Sequence, residues 1–208
     1  EKAGVVPNTK WKKKYIGKNW YLGETLHSGI GQGYFLSTPL QLCLMTAQIA
    51  NGGYEIKPRL LIDSNNERNN LKEYIKYKNE NPNDPLPIDV LVSNFNLKTL
   101  FRNQENINFV KDAMFAATNE PGGTSYASRL KNKEFMFAGK TGSSQIKKFT
   151  AEQRELEVKQ KDLDYLDRDH AWFVAFAPYN DPKYAISVLV EHGGSGSKAA
   201  APIAKKVI

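Results

Sequence analysis

Two apolar segments near the C-terminus constrain the fold of this chain more than any other feature of its sequence. Residues 170–178 and 184–191 are each long enough for one strand, and the turn-forming residues Asn180, Asp181 and Pro182 separate them. Both segments are apolar at successive positions, whereas a strand with one face in water alternates apolar and polar residues. The sequence therefore predicts two adjacent strands in the centre of a sheet that is covered on both faces.

A further strand, predicted directly upstream, carries the sharpest chemical pattern in the chain. Residues 135–138 are mostly apolar and lead into Gly139, Lys140, Thr141 and Gly142. On a strand edge the lysine supplies a positive field, the threonine hydroxyl donates a hydrogen bond, and the second glycine lets a substrate backbone approach. This combination suits a carboxylate ligand. Because the three residue types are common, a surface strand that ends in a turn remains the alternative explanation of the tripeptide alone.

Two helices are also predicted. Thr38 and Gln41 have the spacing of a capping box, and Pro39 occupies the first helical position, where proline is favoured. Residues 40–50 are apolar on nearly every face, which predicts a buried helix. Residues 106–118 have apolar side chains at helical spacing and predict a second helix.

The other segments are predicted to be less regular. Residues 1–33 show no sustained period and indicate loops and short extended pieces. Residues 54–62 indicate a short strand pair or extended connection, and the polar residues 64–87 indicate a surface loop. Residues 147–169 are interpreted as a charged insertion between two strands, with a largely solvated helix over 150–169.

Composition and cysteine content exclude several classes of protein. A single cysteine, Cys43, rules out a disulfide framework and a zinc site with several thiolates. The sequence contains no run of eighteen apolar residues, so it predicts no membrane-spanning helix. The three histidines, at 27, 170 and 192, lack the spacing of metal ligands, and no metal site is predicted. The net charge of +7, from 29 basic and 22 acidic residues, suggests an anionic partner without naming one.

Several short blocks along the chain, taken in order, resemble one known family. They are residues 29–33, 37–41, 50–53, 58–60, 122–124, 139–142, 173–178 and 188–194. Together they are similar to the transpeptidase domain of class B penicillin-binding proteins, and residues 8–13 and 20–25 are similar to the elongation-specific members. The resemblance covers essentially the whole chain. It implies that residues 1–208 are the C-terminal part of that domain, an α+β fold with an antiparallel sheet flanked by helices.

The resemblance also implies an activity and a site. The family comprises D,D-transpeptidases that cross-link peptidoglycan stem peptides through a serine ester and that bind β-lactams. Lys140, Thr141 and Gly142 match the family's K-[ST]-G motif, which holds the substrate's terminal carboxylate, and the Ser143 backbone N–H would form half of the oxyanion hole. No cofactor or metal is implied. The implied location is the periplasmic face of the bacterial inner membrane, with membrane-bound elongation proteins as partners and no nucleic acid.

The family's nucleophile motif, S-x-x-K, has no match in the expected position. It occurs at Ser128, Ser144 and Ser195, where chance alone provides roughly one match in a chain of this composition. All three follow the first blocks of the resemblance, whereas the family's nucleophile precedes them. The chain is therefore interpreted as lacking the part with the nucleophile, and on its own it is expected to be inactive.

Other functions remain open from the sequence. A non-catalytic β-lactam sensor or scaffold would keep the K-T-G strand and stay acylated, whereas a serine β-lactamase of the same fold would hydrolyse the drug rapidly. A nucleic-acid-binding module would use basic and aromatic residues such as those in 10–15, and its binding would depend on salt.

Overall fold

A computed structural model describes residues 2–58, 80, 99–147 and 159–208. The helices are α1 (Thr9–Ile16), α2 (Leu22–Gly29), α3 (Pro39–Ala50), α4 (Gln104–Asn119) and α5 (Ala201–Val207), and the strands are β1 (Ala138–Ser144), β2 (His170–Ala177) and β3 (Tyr184–Val190). Single turns of 3-10 helix occur at Tyr126–Ser128, Lys133–Phe135, Gln160–Asp162 and Tyr165–Asp167, and one π turn occurs at Gly196–Ala200. Within these ranges no helix combines the length and the apolar character needed to cross a bilayer.

The three strands form one antiparallel sheet in the order β1-β2-β3. Thr141 of β1 lies opposite Phe173 of β2, which in turn lies opposite Val188 of β3. The predicted strands over 170–178 and 184–191 are thus confirmed. β2 is central as predicted, whereas β3 has a strand neighbour on one side only in the described part of the chain.

Helices cover both faces of the sheet. On one face Phe173 and the alanines of β2 pack against Ala201 and Ala204 of α5, all essentially inaccessible to solvent. On the other face Phe176 packs with Ala50 of α3 and other core residues. Full burial of a phenylalanine side chain contributes about 1.5–3 kcal/mol, and the small alanines let the helix approach closely. This layered arrangement confirms the α+β class.

The capping box of α3 is present as predicted. The Thr38 hydroxyl accepts a hydrogen bond from the Gln41 backbone N–H at 3.2 Å, and the Gln41 side chain accepts one from the Thr38 N–H at 3.0 Å. The predicted burial of this helix is wrong, because Leu40 and Met45 are 49% and 42% exposed. Among the described residues, α3 packs mainly on the sheet with one face.

The prediction of loops over residues 1–33 is wrong, since this segment contains α1 and α2. The Asn8 side chain caps α1 by accepting from the Trp11 N–H at 2.9 Å, and Gly17 ends the helix in the left-handed conformation at a φ of 72°. Lys12 on the inner face of α1 is only 1% exposed, because its ammonium forms an ion pair with Glu24 of α2. Because Lys12 takes a buried position that an apolar residue usually occupies, the sequence of α1 lacks the apolar spacing from which a helix is predicted.

The helix predicted over 150–169 is wrong for residues 159–169, which contain two separate 3-10 turns. Side-chain bonds fix this path: the Gln160 amide oxygen accepts from the Asp169 N–H at 2.8 Å, and its nitrogen donates to the Asp169 carboxylate at 2.9 Å. Residues 150–158 lie outside the described part. So does the surface loop predicted over 64–87, apart from residue 80, and so do residues 59–62.

Candidate active site

The predicted carboxylate-binding residues lie together in the middle of β1. The Lys140 ammonium donates to the Thr141 carbonyl oxygen at 3.0 Å and lies 3.4 Å from the Thr141 hydroxyl. The Thr141 hydroxyl donates to the Thr124 hydroxyl at 3.3 Å. Lys140 is exposed and forms no ion pair with a carboxylate in residues 2–58, 80, 99–147 and 159–208. One ammonium and two hydroxyls therefore converge where an anion with several oxygens could bind.

The outer edge of β1 is closed at its beginning by the C-terminal end of α4. In an antiparallel strand, alternate residues direct both backbone groups away from the paired strand. At Gly139 these groups meet the Thr118 hydroxyl, which lies 3.1 Å from the N–H and 3.3 Å from the carbonyl oxygen. The Asn119 side chain donates to the Phe137 carbonyl at 2.9 Å. Thr118 and Ser125, which lies 3.3 Å from it, are almost completely buried.

The same edge is open two residues further along. By the alternation that holds for Gly139, the backbone groups of Thr141 and Ser143 also point away from β2. The Ser143 carbonyl accepts from the Gln32 side chain at 3.2 Å. The Ser143 N–H has no hydrogen-bond partner within the described ranges. This edge can thus receive an extended peptide, and the Ser143 N–H can donate to an oxygen that becomes negatively charged.

Behind Gly142 the strand is in close contact with β2 and with the segment that leads into α5. A Cβ atom at Gly142 would lie 3.3 Å from the Trp172 Cβ on β2. A Cβ atom at Gly196, in the π turn that packs on the sheet, would lie 2.4 Å from the Trp172 carbonyl oxygen and 2.9 Å from that of Gly142. The Trp172 indole N–H donates to the Ser144 hydroxyl at 3.1 Å. The motif glycine thus belongs to a backbone-on-backbone contact that fixes the position of the strand.

A cleft of about 550 Å³ lies beyond the end of β1. Its walls come from α2, from the loop that follows it, and from the residues after β1; they include Glu24, Gln32, Tyr34, Gln145 and Lys147. A hydrogen bond from Lys12, followed by one from the Tyr21 backbone, holds the pKa of Glu24 below its usual range. The Glu24 side chain is therefore ionised at neutral pH.

Three residues at this site were not assigned a role from the sequence. Gln32 and Thr124 belong to blocks 29–33 and 122–124, which carried the family resemblance without any stated contact. Thr118 is one of many threonines, and its contact with Gly139 joins residues 21 positions apart. Spacing within one segment carries no signal for contacts of this kind.

Comparison with known proteins relates the whole chain to one family. The model of the penicillin binding protein transpeptidase domain matches residues 1–208. The peptidoglycan D,D-transpeptidase MrdA of Salmonella typhimurium strain SL1344 is 33% identical over all 208 residues. Among solved structures, PBP2 of Helicobacter pylori in complex with MreC has a TM-score of 0.69 at 31% identity over 99% of this chain. Pseudomonas aeruginosa PBP2 in complex with WCK 5153 has a TM-score of 0.68 at 32% identity over the whole chain.

The chain spans only part of these relatives. It covers 30% of the Salmonella protein, 30% of the Helicobacter chain and 38% of the Pseudomonas chain. The resemblance predicted from the sequence is nevertheless confirmed along its full length. This chain belongs to the penicillin-binding protein transpeptidase domain family.

Proposed function

We propose that residues 1–208 are the C-terminal part of the transpeptidase domain of a peptidoglycan D,D-transpeptidase that acts in cell elongation. The observation that carries the proposal is the open edge of β1 at Thr141 and Ser143, with the Lys140 ammonium beside it. The similarity to the peptidoglycan D,D-transpeptidase MrdA of Salmonella typhimurium supports the reaction class. Residues 147–169 are proposed to be an insertion between β1 and β2.

The donor stem peptide lies extended along the open edge. Lys140 and the Thr141 hydroxyl bind its terminal carboxylate, and Gly142 leaves room for its backbone. A serine outside this chain attacks the carbonyl between the two terminal D-alanines, and the last D-alanine leaves as its nitrogen takes up a proton. The amine of a second stem peptide then attacks the serine ester, forms the cross-link and releases the serine.

The Ser143 N–H donates to the carbonyl oxygen as it gains negative charge. Such a donor acts most strongly when its position is fixed before the reaction. Gln32 supports this position by binding the carbonyl of the same residue, and the contact between Gly142 and Gly196 limits movement from behind. A β-lactam would occupy the same edge, with its carboxylate on Lys140 and Thr141.

The intact protein is proposed to lie at the periplasmic face of the inner membrane, with other elongation proteins as partners. The Helicobacter relative was solved in a complex with MreC, which supports a partner of that kind. For this chain both the location and the partner are proposals.

The test is the rate at which a labelled penicillin acylates the intact protein. Thr141→Val keeps the branched shape and removes a donor to a charged group, which costs about 1.5–3 kcal/mol, or roughly 10- to 150-fold in rate. Lys140→Ala should cost at least as much. Thr9→Val, on the exposed first turn of α1, is the matched control and should change the rate less than about twofold.

A normal rate in Thr141→Val would contradict the role given to this strand. Release of the label distinguishes related functions: rapid hydrolysis would indicate a β-lactamase, and a stable adduct without cross-linking activity would indicate a sensor. Ser128 is a poor substitute for the missing nucleophile because it is only 4% exposed. The serines of all three S-x-x-K matches follow the first blocks of the family resemblance, so the isolated chain is expected to give no adduct by mass spectrometry.

A further inference from the structure

A second cleft lies between the β1–β2 connection and the segment that leads into the last helix. Its volume is about 510 Å³. Eight residues line it: Lys159, Gln160, Lys161, Arg168, Gly193, Gly194, Ser195 and Lys198. Four of the eight carry a positive charge and none carries a negative charge. None of the residues of the K-T-G motif lines this cleft, so it is distinct from the site described above.

Two of the carboxylates close to this cleft in sequence are held by other protein groups, and Asp162 and Asp164, which are exposed, do not line the cleft. Asp167 forms an ion pair with Lys147. Asp169 accepts from the Gln160 side chain at 2.9 Å and from the Ile146 N–H at 3.3 Å. In the part of the chain that the structure describes, none of the four cations that line the cleft forms an ion pair. Their mutual repulsion is therefore not offset by a direct ion pair there, which favours an anionic ligand.

The walls of the cleft are held in place by hydrogen bonds. The Arg168 guanidinium donates to the Leu163 carbonyl at 3.1 Å and to the Lys161 carbonyl at 3.5 Å, which orients its plane and leaves other N–H groups for a ligand. The Gly194 N–H donates to the Asp169 carbonyl at 2.8 Å, and Gly194 has a φ of 70°. These contacts give a charged cleft with one wall free of side chains.

We propose that this cleft binds a phosphate group, either as a free phosphate or as the phosphodiester of a lipid headgroup. A phosphate offers several acceptor oxygens to surrounding cations, and the planar guanidinium of Arg168 can donate to two of them. The cleft has no aromatic side chain in its lining on which a nucleic-acid base could stack. Its volume accommodates a group larger than a single inorganic ion.

Isothermal titration calorimetry of the intact protein with inorganic pyrophosphate, at constant ionic strength, tests the proposal. The double variant Lys161→Glu/Lys198→Glu reverses two charges in the cleft and should weaken binding at least tenfold. The matched double variant Lys133→Glu/Lys206→Glu reverses two exposed charges outside the cleft and should weaken it less than twofold. Saturable binding with this difference supports the site.

Glycerophosphoglycerol, a soluble phospholipid headgroup, distinguishes the two sources of phosphate. Tighter binding of pyrophosphate would indicate a free phosphate ligand, and tighter binding of the headgroup would indicate a lipid; each result supports a phosphate site. The proposal is overturned if neither compound binds saturably, or if both double variants lose affinity equally. Circular dichroism of the variants confirms that a loss is not caused by unfolding.

Discussion

The hydroxyl of Thr118 is predicted to be essential for the stability of β1, and Thr118→Val tests this. Thr118 is completely buried, and its hydroxyl accepts the Gly139 N–H at 3.1 Å, one residue before Lys140. Valine keeps the branched shape and leaves that N–H buried without a partner. The cost of such an unpaired group is about 1–3 kcal/mol. The variant also removes the contact between the Thr118 and Ser125 hydroxyls. This loss adds little to the cost, because the Ser125 hydroxyl still donates to the Ala117 carbonyl at 3.0 Å.

Hydrogen exchange of the β1 peptide in the intact protein measures this effect locally. A loss of about 1–3 kcal/mol in the opening free energy corresponds to roughly 5- to 150-fold faster exchange. Thr46→Val is the matched control, because Thr46 is equally buried but its hydroxyl only donates to the Leu42 carbonyl within α3, at 2.7 Å. It should leave β1 exchange unchanged. Equal acceleration in both variants, or none in Thr118→Val, would refute the reasoning.

Three ionisable groups give further predictions. Burial raises the pKa of the Cys43 thiol, so iodoacetamide at about pH 8 should modify it at least tenfold more slowly in the native protein than in urea, as measured by mass spectrometry. The Lys12 hydrogen bond lowers the pKa of Glu24. The stabilisation from the ionised Glu24 is present above the pKa that this residue has in the unfolded chain, and it is lost as the pH falls through the lower pKa of the folded protein. Lys12→Met should therefore weaken the decline of the urea midpoint with acid between about pH 5 and pH 3. Burial, followed by the hydrogen bond with Asp112, raises the pKa of Tyr179 to about 12. The stabilisation from its neutral phenol is complete below the unfolded pKa of about 10 and is lost as the pH rises towards 12. The urea midpoint of Tyr179→Phe should therefore decrease less between about pH 10 and pH 12 than that of the unmodified protein.

Local patterns in the sequence predicted much of this fold. The start of α3 follows from Thr38, Pro39 and Gln41 alone, because a capping box involves residues three positions apart. β2 and β3 are long apolar runs separated by a turn, and the K-T-G motif is contiguous. In each case the deciding interaction lies within a few residues of the chain.

The remaining features depend on contacts between distant segments. Lys12 can be buried because its ammonium forms an ion pair with Glu24 and donates a hydrogen bond to the Asn19 carbonyl at 2.7 Å. Since a lysine occupies this inner position, the apolar spacing that would have predicted α1 is interrupted. The open edge of β1 is defined by Gln32 and Thr118, which approach it from other elements. Residues 159–169 follow side-chain bonds between Gln160 and Asp169 in place of a helical period. No propensity within one segment encodes these pairings.

The contact of Gly196 with the backbones of Trp172 and Gly142 has a consequence for evolution. Any side chain at position 196 would collide with main-chain oxygens, which cannot adopt another rotamer to make room. Single substitutions there cannot gradually reshape the wall behind the K-T-G motif. Altered ligand preference is therefore more accessible through Gln32 and Thr124, whose side chains contact β1 and can change without displacing the main chain.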